Sequence, residues 1–137
     1  MRILTDYKKL MDNAVKAREL SYSPYSGFKV GAAVLTRGNE VFTGCNIENA
    51  SYSETVCAER TAIFKAISSG KRDFVAIAIV GGKESITDYT YPCGACRQVL
   101  AEHCKSSLKI ILFNGENYKI CTLGQLFPSS FGKNDIK

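Results

Sequence analysis

The stretch "FVAIAIV" at residues 74–80 restricts the fold more than any other part of this 137-residue sequence. It is short, rich in β-branched residues and apolar at consecutive positions, so both faces of the strand that it predicts must be covered. Such a strand lies in the interior of a sheet that has helices on both faces. The rest of the chain therefore has to supply those helices and the neighbouring strands.

Helical and strand patterns alternate around this strand. Residues 5–20 place apolar side chains three and four positions apart, which predicts a helix with Thr5 as its N-cap. Residues 28–36 and 40–46 predict a β-hairpin that turns at "RGN". The segment "ETVCAERTAIFKAI" predicts a second helix, which Gly70 is placed to end.

The C-terminal half continues the alternation. A third helix is predicted from "PCGACRQVLAEHC", a buried strand from "LKIILF", a turn at Asn114 and Gly115, and a returning strand from "YKICTL". The segment "GQLFPSSF" predicts a short helix and a tail. The whole pattern indicates an α/β fold, a three-layer αβα sandwich with a mixed central β-sheet, in which residues 1–137 form a single domain.

Composition and charge argue against several functional classes. The net charge is +5, but the lysines and arginines occur singly or in pairs, so we expect no nucleic acid partner. No segment has the apolar length of a signal peptide or a membrane span, so we expect no membrane contact and a cytoplasmic location. In a reducing compartment the six cysteines are poor disulfide candidates, which favours metal binding or simple burial.

Three of the cysteines are placed where thiolates can hold a metal ion. Cys93 and Cys96 form a C-x-x-C pair after a proline at the start of the third predicted helix, and Cys57 lies at the start of the second. A C-x-x-C pair also serves redox chemistry, but a third cysteine at another helix start favours zinc. Three protein ligands leave one zinc position for water, as in catalytic sites.

A fourth protein ligand would instead make a structural zinc site. His103 lies about 10 Å beyond Cys96 along the third helix, at 1.5 Å per residue, which is too far to share an ion, and Cys104 lies farther still. Cys45 and Cys121 fall in predicted strands, where buried thiols are common, and distance alone does not remove them. A structural four-thiolate site therefore stays open beside the catalytic interpretation.

Glu59 follows Cys57 by two residues. A carboxylate beside a metal-activated water can accept its proton and later protonate a leaving group. A glutamate in the first turn of a helix can also serve only the helix dipole. Beside three candidate ligands we favour the catalytic role, because the order of Cys, Glu and P-C-x-x-C is the signature of zinc-dependent deaminases.

Four sequence blocks carry a resemblance to a known family. "FKVGAA", "GCNIENASY", "CAERTA" and "PCGACRQV" occur in the order and spacing of the small cytidine deaminases of nucleoside salvage, which this sequence resembles from about Tyr22 to Phe131. The resemblance implies a zinc hydrolase that converts cytidine and deoxycytidine to uridine and deoxyuridine. It also implies one zinc ion per subunit, held by Cys57, Cys93 and Cys96, and a homotetramer with shared active sites.

The resemblance further implies how a nucleoside would be bound. Asn46 and Glu48 would contact the ribose hydroxyls, the backbone of Ala58 would contact the base, and Phe28 would lie against the ring. Phe131 would enter the active site of a neighbouring subunit. Each of the five would thus act on the substrate rather than on the metal.

Three thiolates on one zinc ion carry a formal charge of −1, which raises the pKa of a bound water unless the charge is offset. Two helix N-termini, together with Arg60 and Arg97 within one turn of the cysteines, can offset it. In the family that the sequence resembles, the residues matching Arg60 and Gln98 would hydrogen-bond the ligand sulfurs.

Two other functions stay open. No lysine-bearing glycine-rich loop or arginine fork stands near "NIEN", and Glu48 would repel a phosphate, so a free nucleoside is favoured over a nucleotide. A deaminase that acts on RNA, a nucleotide or another aminopyrimidine compound is the alternative. A non-enzymatic, zinc-stabilised binding module is the third possibility.

Overall fold

The computed structural model describes residues 2–136, with side chains from residue 7 onward. Within that range five strands form one sheet: β1 (Lys29–Thr36), β2 (Val41–Cys45), β3 (Phe74–Gly82), β4 (Lys109–Phe113) and β5 (Tyr118–Thr122). Their order across the sheet is β2-β1-β3-β4-β5. β3 and β4 pair in parallel, and the other neighbours are antiparallel. The mixed sheet is confirmed, with residues 74–80 in its central strand.

Four α-helices lie within the described residues: α1 (Arg2–Arg18), α2 (Ala58–Ser68), α3 (Gly94–His103) and α4 (Leu123–Leu126). The prediction that Thr5 caps α1 is wrong, because the helix already begins at Arg2 and Thr5 lies inside it. α1 also ends two residues earlier than predicted, since the backbone from Glu19 to Ser21 forms turns with the last helical carbonyls. None of the described helices is both long enough and apolar enough to cross a bilayer.

Helices cover both faces of the sheet. On one face, α1 packs against β1, β3 and β4 through Leu10, Met11, Ala14, Ala33, Leu35, Ala76, Ala78, Val80 and Ile111. On the other face, α2 and α3 pack on the same strands through a second cluster that includes Ala32, Val34, Ala62, Ile63, Ile77, Ile79, Leu100 and Ile110. Neighbouring residues of a strand face opposite sides, so the doubly apolar pattern of β3 serves both clusters. This is the predicted three-layer sandwich.

β1 brings the starts of α2 and α3 to one edge of the sheet. Gly31 of β1 pairs with Cys45 of β2 on one side and with Val80 of β3 on the other. Because β2 and β3 both run antiparallel to β1, their carboxyl ends lie at the same edge. α2 follows β2 in the chain and α3 follows β3, so the two helices begin from that shared edge.

Gly44 lets α2 lie directly on β2. A Cβ atom at Gly44 would stand 2.4 Å from the backbone nitrogen of Ala62 and 2.8 Å from the carbonyl oxygen of Ala58. No other residue type allows this approach, which sets the position of the first turn of α2. The helix ends at Ser68, and Gly70, which was predicted to end it, follows with a φ of +91°, a left-handed conformation.

Candidate active site

Three cysteine sulfurs meet at the edge where α2 and α3 begin. Cys57 and Cys93 are the N-cap residues of the two helices, and Cys96 lies in the first turn of α3. The sulfur of Cys93 is 3.7 Å from that of Cys57 and 3.6 Å from that of Cys96. A disulfide would need about 2.0 Å, so the three thiols are free and form a cluster, as predicted.

The spacing of the sulfurs fits zinc. Tetrahedral coordination with Zn–S bonds of about 2.3 Å places two ligand sulfurs about 3.8 Å apart. The observed separations of 3.6 and 3.7 Å are close to that value. Among the described residues no fourth His, Cys, Asp or Glu joins the group. His103, Cys45, Cys104 and Cys121 are therefore outside it, and the four-thiolate alternative is not formed.

Glu59 is the carboxyl group of the site. It is the second residue of α2, and its side chain is only 4% exposed. Burial raises its pKa to about 7, the charge of Cys57 acts in the same direction, and its own backbone N–H and Arg60 oppose the shift. The pKa of Cys96 is raised, chiefly by its hydrogen bond to Cys57 and by burial, and the charge of Glu59 acts in the same direction.

Arg60 supplies positive charge to the cluster. Its Nη2 atom donates a hydrogen bond to the sulfur of Cys57 at 3.4 Å, as the resemblance implied. Its Nε atom is buried with no hydrogen-bond partner among the described residues. A hydrogen bond from Cys96, together with the bond from Arg60, lowers the pKa of Cys57 to about 5. The Cys57 thiol is therefore ionised near neutral pH, and the thiolate is the state that binds a metal.

Gln98 and Arg97 make contacts that the sequence did not indicate. The Nε2 atom of Gln98 donates to the carbonyl oxygen of Phe131 at 2.9 Å rather than to a ligand sulfur. The Nε atom of Arg97 donates to the carbonyl oxygen of Pro92 at 2.7 Å, and its Nη1 atom donates to that of Leu126. Both side chains therefore bind backbone carbonyls, one of them directly before Cys93.

Asn46 is held by the backbone around it. Its side chain is 8% exposed, and its Oδ1 atom accepts hydrogen bonds from the backbone N–H of Val30 at 2.9 Å and from the hydroxyl of Ser21. Its Nδ2 atom donates to the carbonyl oxygen of Phe28 at 2.8 Å. One N–H of the amide is left for a further acceptor, because an amide nitrogen carries two.

Glu48 presents a fixed, ionised carboxylate. Its Oε1 atom accepts from the backbone N–H groups of Tyr25 and Ser26 at 2.9 and 3.1 Å, and its Oε2 atom accepts from the hydroxyl of Ser26. The Ser26 hydroxyl is the main cause of the lowered pKa of Glu48. The carboxylate is exposed in a cleft that Tyr52 and Thr55 also line. Thr55 is two residues before Cys57 in the chain.

Ser26 connects the predicted substrate-binding residues to one another, and sequence reasoning missed it. Its hydroxyl oxygen accepts from the backbone N–H of Phe28 at 2.9 Å while the hydroxyl donates to Glu48. With the bond from Asn46 to Phe28, the three predicted residues belong to one network. The segment "SYSPYSG" indicated only the end of a helix, although a serine in a Pro-containing turn is a common side-chain hydrogen-bonding position.

The side chains of Phe28, Ala58 and Phe131 lie in three different environments. Phe28 lines a second cleft together with the loop from Gly81 to Thr90, three residues before Cys93. Ala58 is fully buried as the first residue of α2. Phe131 is not in either cleft: its side chain is 60% exposed, and its described hydrogen bond is the one from Gln98.

Comparison with known proteins identifies the family. The family model of the cytidine and deoxycytidylate deaminase zinc-binding region matches residues 4–112. The chain is 48% identical over 132 residues to the cytidine deaminase of Sporosarcina psychrophila, across 96% of this chain and 95% of the relative. It is 49% identical over 133 residues to the cytidine deaminase of Halalkalibacterium halodurans, across 96% of this chain and 98% of the relative.

A solved structure agrees with these relatives. The crystal structure of cytidine deaminase from Burkholderia pseudomallei superposes with a TM-score of 0.84 at 46% identity, across 91% of this chain and 98% of that one. The family model describes a zinc-binding region, and the three-thiol cluster fits one zinc ion per chain. Zinc is therefore the cofactor, and the chain belongs to the cytidine and deoxycytidylate deaminase family.

Proposed function

We propose that this chain hydrolyses cytidine and deoxycytidine to uridine and deoxyuridine, with release of ammonia, in pyrimidine nucleoside salvage. The observation that carries the proposal is the buried carboxyl group of Glu59 beside the three-sulfur cluster. Hydrolytic removal of a ring amino group needs such a group, because the attacking water loses protons and the leaving group gains them.

Cys57, Cys93 and Cys96 would hold the zinc ion through their thiolates. Bound zinc supplies the Lewis acidity that makes water a nucleophile near neutral pH. The negative charge of three thiolates opposes that effect. Arg60 at 3.4 Å from the sulfur of Cys57, together with the N-termini of α2 and α3, offsets part of this charge.

Glu59 would carry the protons of the reaction. Its carboxylate accepts a proton from the attacking water and donates it to the ring nitrogen beside the attacked carbon. It then accepts the second proton of the former water and delivers it to the departing ammonia. Cytidine and water thus give uridine and ammonia, with Glu59 returned to its starting state. Its burial keeps bulk water from exchanging these protons.

The hydrogen-bonded network around Ser26 would bind the sugar and the base. Among the described residues, the Oε2 atom of Glu48 accepts only the Ser26 hydroxyl and has capacity to accept a ribose hydroxyl, and the free N–H of Asn46 can donate to another. Phe28 would contact the ring, and the backbone of Ala58 would hydrogen-bond the base. Phe131 would complete a neighbouring subunit's site, which its 60% exposure permits.

The charge of Glu48 supports a nucleoside rather than a nucleotide as substrate. Its pKa is lowered, chiefly by the Ser26 hydroxyl, so the carboxylate is ionised at neutral pH. A phosphate on the sugar would place a second negative charge in the same cleft. The same repulsion acts against a polynucleotide, and we propose that the chain has no nucleic acid partner.

We further propose a homotetramer with shared active sites. Apolar side chains are exposed around residues 46–49, which we call the sugar-binding block. There Tyr22 pairs with Ile47 through the backbone, and Ile47 shares a groove with Phe64. Tyr25 and Tyr52 stack edge to face beside them, with ring centroids 5.8 Å apart. Contiguous exposed apolar surface of this kind is typical of subunit interfaces.

We propose that residues 1–137 act as one catalytic domain in the cytoplasm. The two apolar clusters share the strands of a single sheet, so neither helical layer has a core separate from the other. The free thiols of the cluster need a reducing compartment to remain metal ligands, which supports the cytoplasm. We also propose that the chain has no membrane partner.

The first experiment is an assay of cytidine and deoxycytidine turnover by the zinc-loaded protein, followed by loss of ultraviolet absorbance. We expect turnover by the wild type and a decrease in kcat of about 10²-fold or more in Glu59→Gln, because the amide cannot exchange protons. Zinc content is measured in both proteins and should be equal, since Glu59 is not a proposed ligand.

The matched control is Glu102→Gln, the same chemical change at an exposed position of α3 whose side chain makes no hydrogen bond or ion pair among the described residues. It should leave turnover and zinc content unchanged. A zinc-replete wild type that ignores both nucleosides would contradict the proposal. RNA, nucleotides and other aminopyrimidines would then be assayed.

A further inference from the structure

The segment that follows α4 is tied to α3 by two consecutive side chains. Arg97 reaches the carbonyl oxygen of Leu126, where α4 ends, and Gln98 reaches that of Phe131 at 2.9 Å. Arg97 also binds the carbonyl oxygen of Pro92 at 2.7 Å, directly before Cys93. α3 therefore contacts both ends of residues 126–131, which we call the C-terminal arm.

The backbone of the arm provides little support of its own. Residues 128 and 129 form a single turn, and no backbone hydrogen bond joins residues 128–131 to another segment within the described part of the chain. Ser129 has a φ of 53°, a left-handed conformation that a serine adopts at a cost. Regular pairing resumes only at Gly132, which bonds to Asp135. Among the described hydrogen bonds, the one donated by the amide of Gln98 is therefore the bond that holds the end of the arm.

Phe131 depends on this support because its side chain has no packed environment in the single chain. Its ring is 60% exposed, so apolar contacts do not select its orientation. The direction in which the ring leaves the protein is then set by the backbone, and the backbone is held at the carbonyl of the same residue. Loss of that bond would leave the ring free to sample many positions.

We propose that Gln98 is a positioning residue for Phe131, an assignment that rests on the proposed function of Phe131 in a substrate site. Gln98 holds the arm at its end and Arg97 holds it at its start. Both residues lie on the helix whose first turn carries Cys96. One helix therefore places two zinc ligands and the aromatic ring that would contact the nucleoside.

This role differs from a hydrogen bond between Gln98 and a ligand sulfur. The amide nitrogen of Gln98 carries two N–H groups, of which one is directed at Phe131, and no described contact joins the other to a sulfur. Among the described residues outside the cluster, Arg60 is the one whose side chain donates a hydrogen bond to a cysteine sulfur. A sulfur-binding role predicts loss of zinc on substitution, whereas a positioning role predicts loss of order in the arm.

The test uses Phe131→Trp as a reporter, since the chain contains no tryptophan. Time-resolved fluorescence anisotropy of the zinc-loaded protein is compared between Phe131→Trp alone and the same protein with Gln98→Ala added. We expect the amplitude of fast local motion of the indole to increase about twofold in the Gln98→Ala protein, because an unanchored loop end moves on the nanosecond timescale. Zinc content should stay unchanged.

Two further variants make the outcome specific. Gln98→Glu keeps the size of the side chain but removes the donor, so it should match Gln98→Ala. Glu102→Ala removes an exposed side chain one turn along α3 and should leave the anisotropy as it was. Equal anisotropy with and without the Gln98 amide would overturn the proposal, as would loss of zinc with no change in anisotropy.

Enzyme activity provides a second readout, measured in protein that keeps Phe131. Gln98→Ala should raise KM for cytidine about fivefold, the effect of one hydrogen bond, with a smaller effect on kcat. Because the anisotropy measurement does not require turnover, the role of Gln98 and the proposed function can each be contradicted independently of the other. A mobile arm in a protein without deaminase activity would contradict only the proposed function, and an unchanged arm in an active enzyme would contradict only the role of Gln98.

Discussion

Glu59 shows how folding changes the chemistry of one side chain. A glutamate at the start of a helix is ordinarily exposed and ionised, but here the first turn of α2 is pressed against β2 and the carboxyl group is buried. Burial is the main reason that its pKa rises from 4.5 to about 7. The folded chain therefore holds this proton more tightly than the unfolded chain does.

This difference predicts how the stability of the metal-free protein depends on pH. Between pH 4.5 and about 7 the folded state binds more protons at Glu59 than the unfolded state, so stability falls as pH rises through that window. The loss attributable to Glu59 is at most about 3 kcal/mol. Metal-free Glu59→Gln, which has no charge to bury, should therefore be more stable than the metal-free wild type at about pH 8.

Urea unfolding after zinc removal by a chelator measures this effect. The two midpoints should differ at about pH 8 and should converge near pH 4.5, where the wild-type carboxyl group is protonated in the folded state. Identical midpoints at the higher pH would show that Glu59 is not held in a water-poor environment.

Contacts between elements decide where the site residues lie. α2 rests on β2 without an intervening side chain at Gly44, and α3 follows β3 at the same edge of the sheet. These two placements bring the sulfur atoms of Cys57 and Cys93 to 3.7 Å from each other, although the two residues are 36 positions apart in the sequence. A change at the contact between α2 and β2 should therefore alter the positions of the cysteine sulfurs.

Gly44→Ala tests that connection. The added methyl group would lie 2.4 Å from the backbone nitrogen of Ala62, so α2 must move outward. We expect a loss of about 1–3 kcal/mol in stability and weaker zinc retention, because the sulfur of Cys57 moves with the helix. Thermal unfolding and competition with a chromogenic chelator measure the two effects.

Gly38→Ala, in the turn of the same hairpin, is the matched control for Gly44→Ala. A Cβ atom there meets only side-chain atoms at 3.8 Å, and the backbone is not in a left-handed conformation. Stability and zinc retention should stay close to those of the wild type. Equal behaviour of the two variants would show that the contact between α2 and β2 does not position Cys57.

The surface of the molecule as a whole bears on the proposed association of several chains. Exposed apolar side chains cluster on the segments before and after residues 46–49, the proposed sugar-binding block, and these segments also border the cleft of Glu48. An interface there would cover apolar surface and would enclose the substrate between subunits. Each chain would then complete a site that is open in the single chain.

Light scattering coupled to size-exclusion chromatography tests the tetramer. We expect a mass about four times the 15.0 kDa of one chain. Phe64→Glu, which places a charge in the apolar groove beside Ile47, should lower that mass and reduce turnover while leaving zinc bound. A wild-type mass of 15.0 kDa at micromolar concentration would contradict the proposed assembly.

Local patterns in the sequence were sufficient to predict the three layers of the fold and the three cysteines of the cluster. The doubly apolar strand, the helices on either side of it and the turn residues Gly70 and Gly115 are short-range signals that packing reinforces. The start of α1 was not predicted, because helical propensity continued past Thr5 towards the N-terminus. The cysteine spacing identified the cluster, since metal chemistry accepts few ligand types.

The targets of polar side chains were set by the three-dimensional fold. Nothing in the sequence near Gln98 indicates that its amide meets Phe131, 33 residues away, or that Ser26 links Glu48 to Phe28. The pKa of Glu59 likewise depends on burial against a distant strand. Residue types and local spacing determine which chemistry is available, whereas hydrogen-bond partners and burial depend on contacts between segments far apart in the chain, which form only when the layers pack.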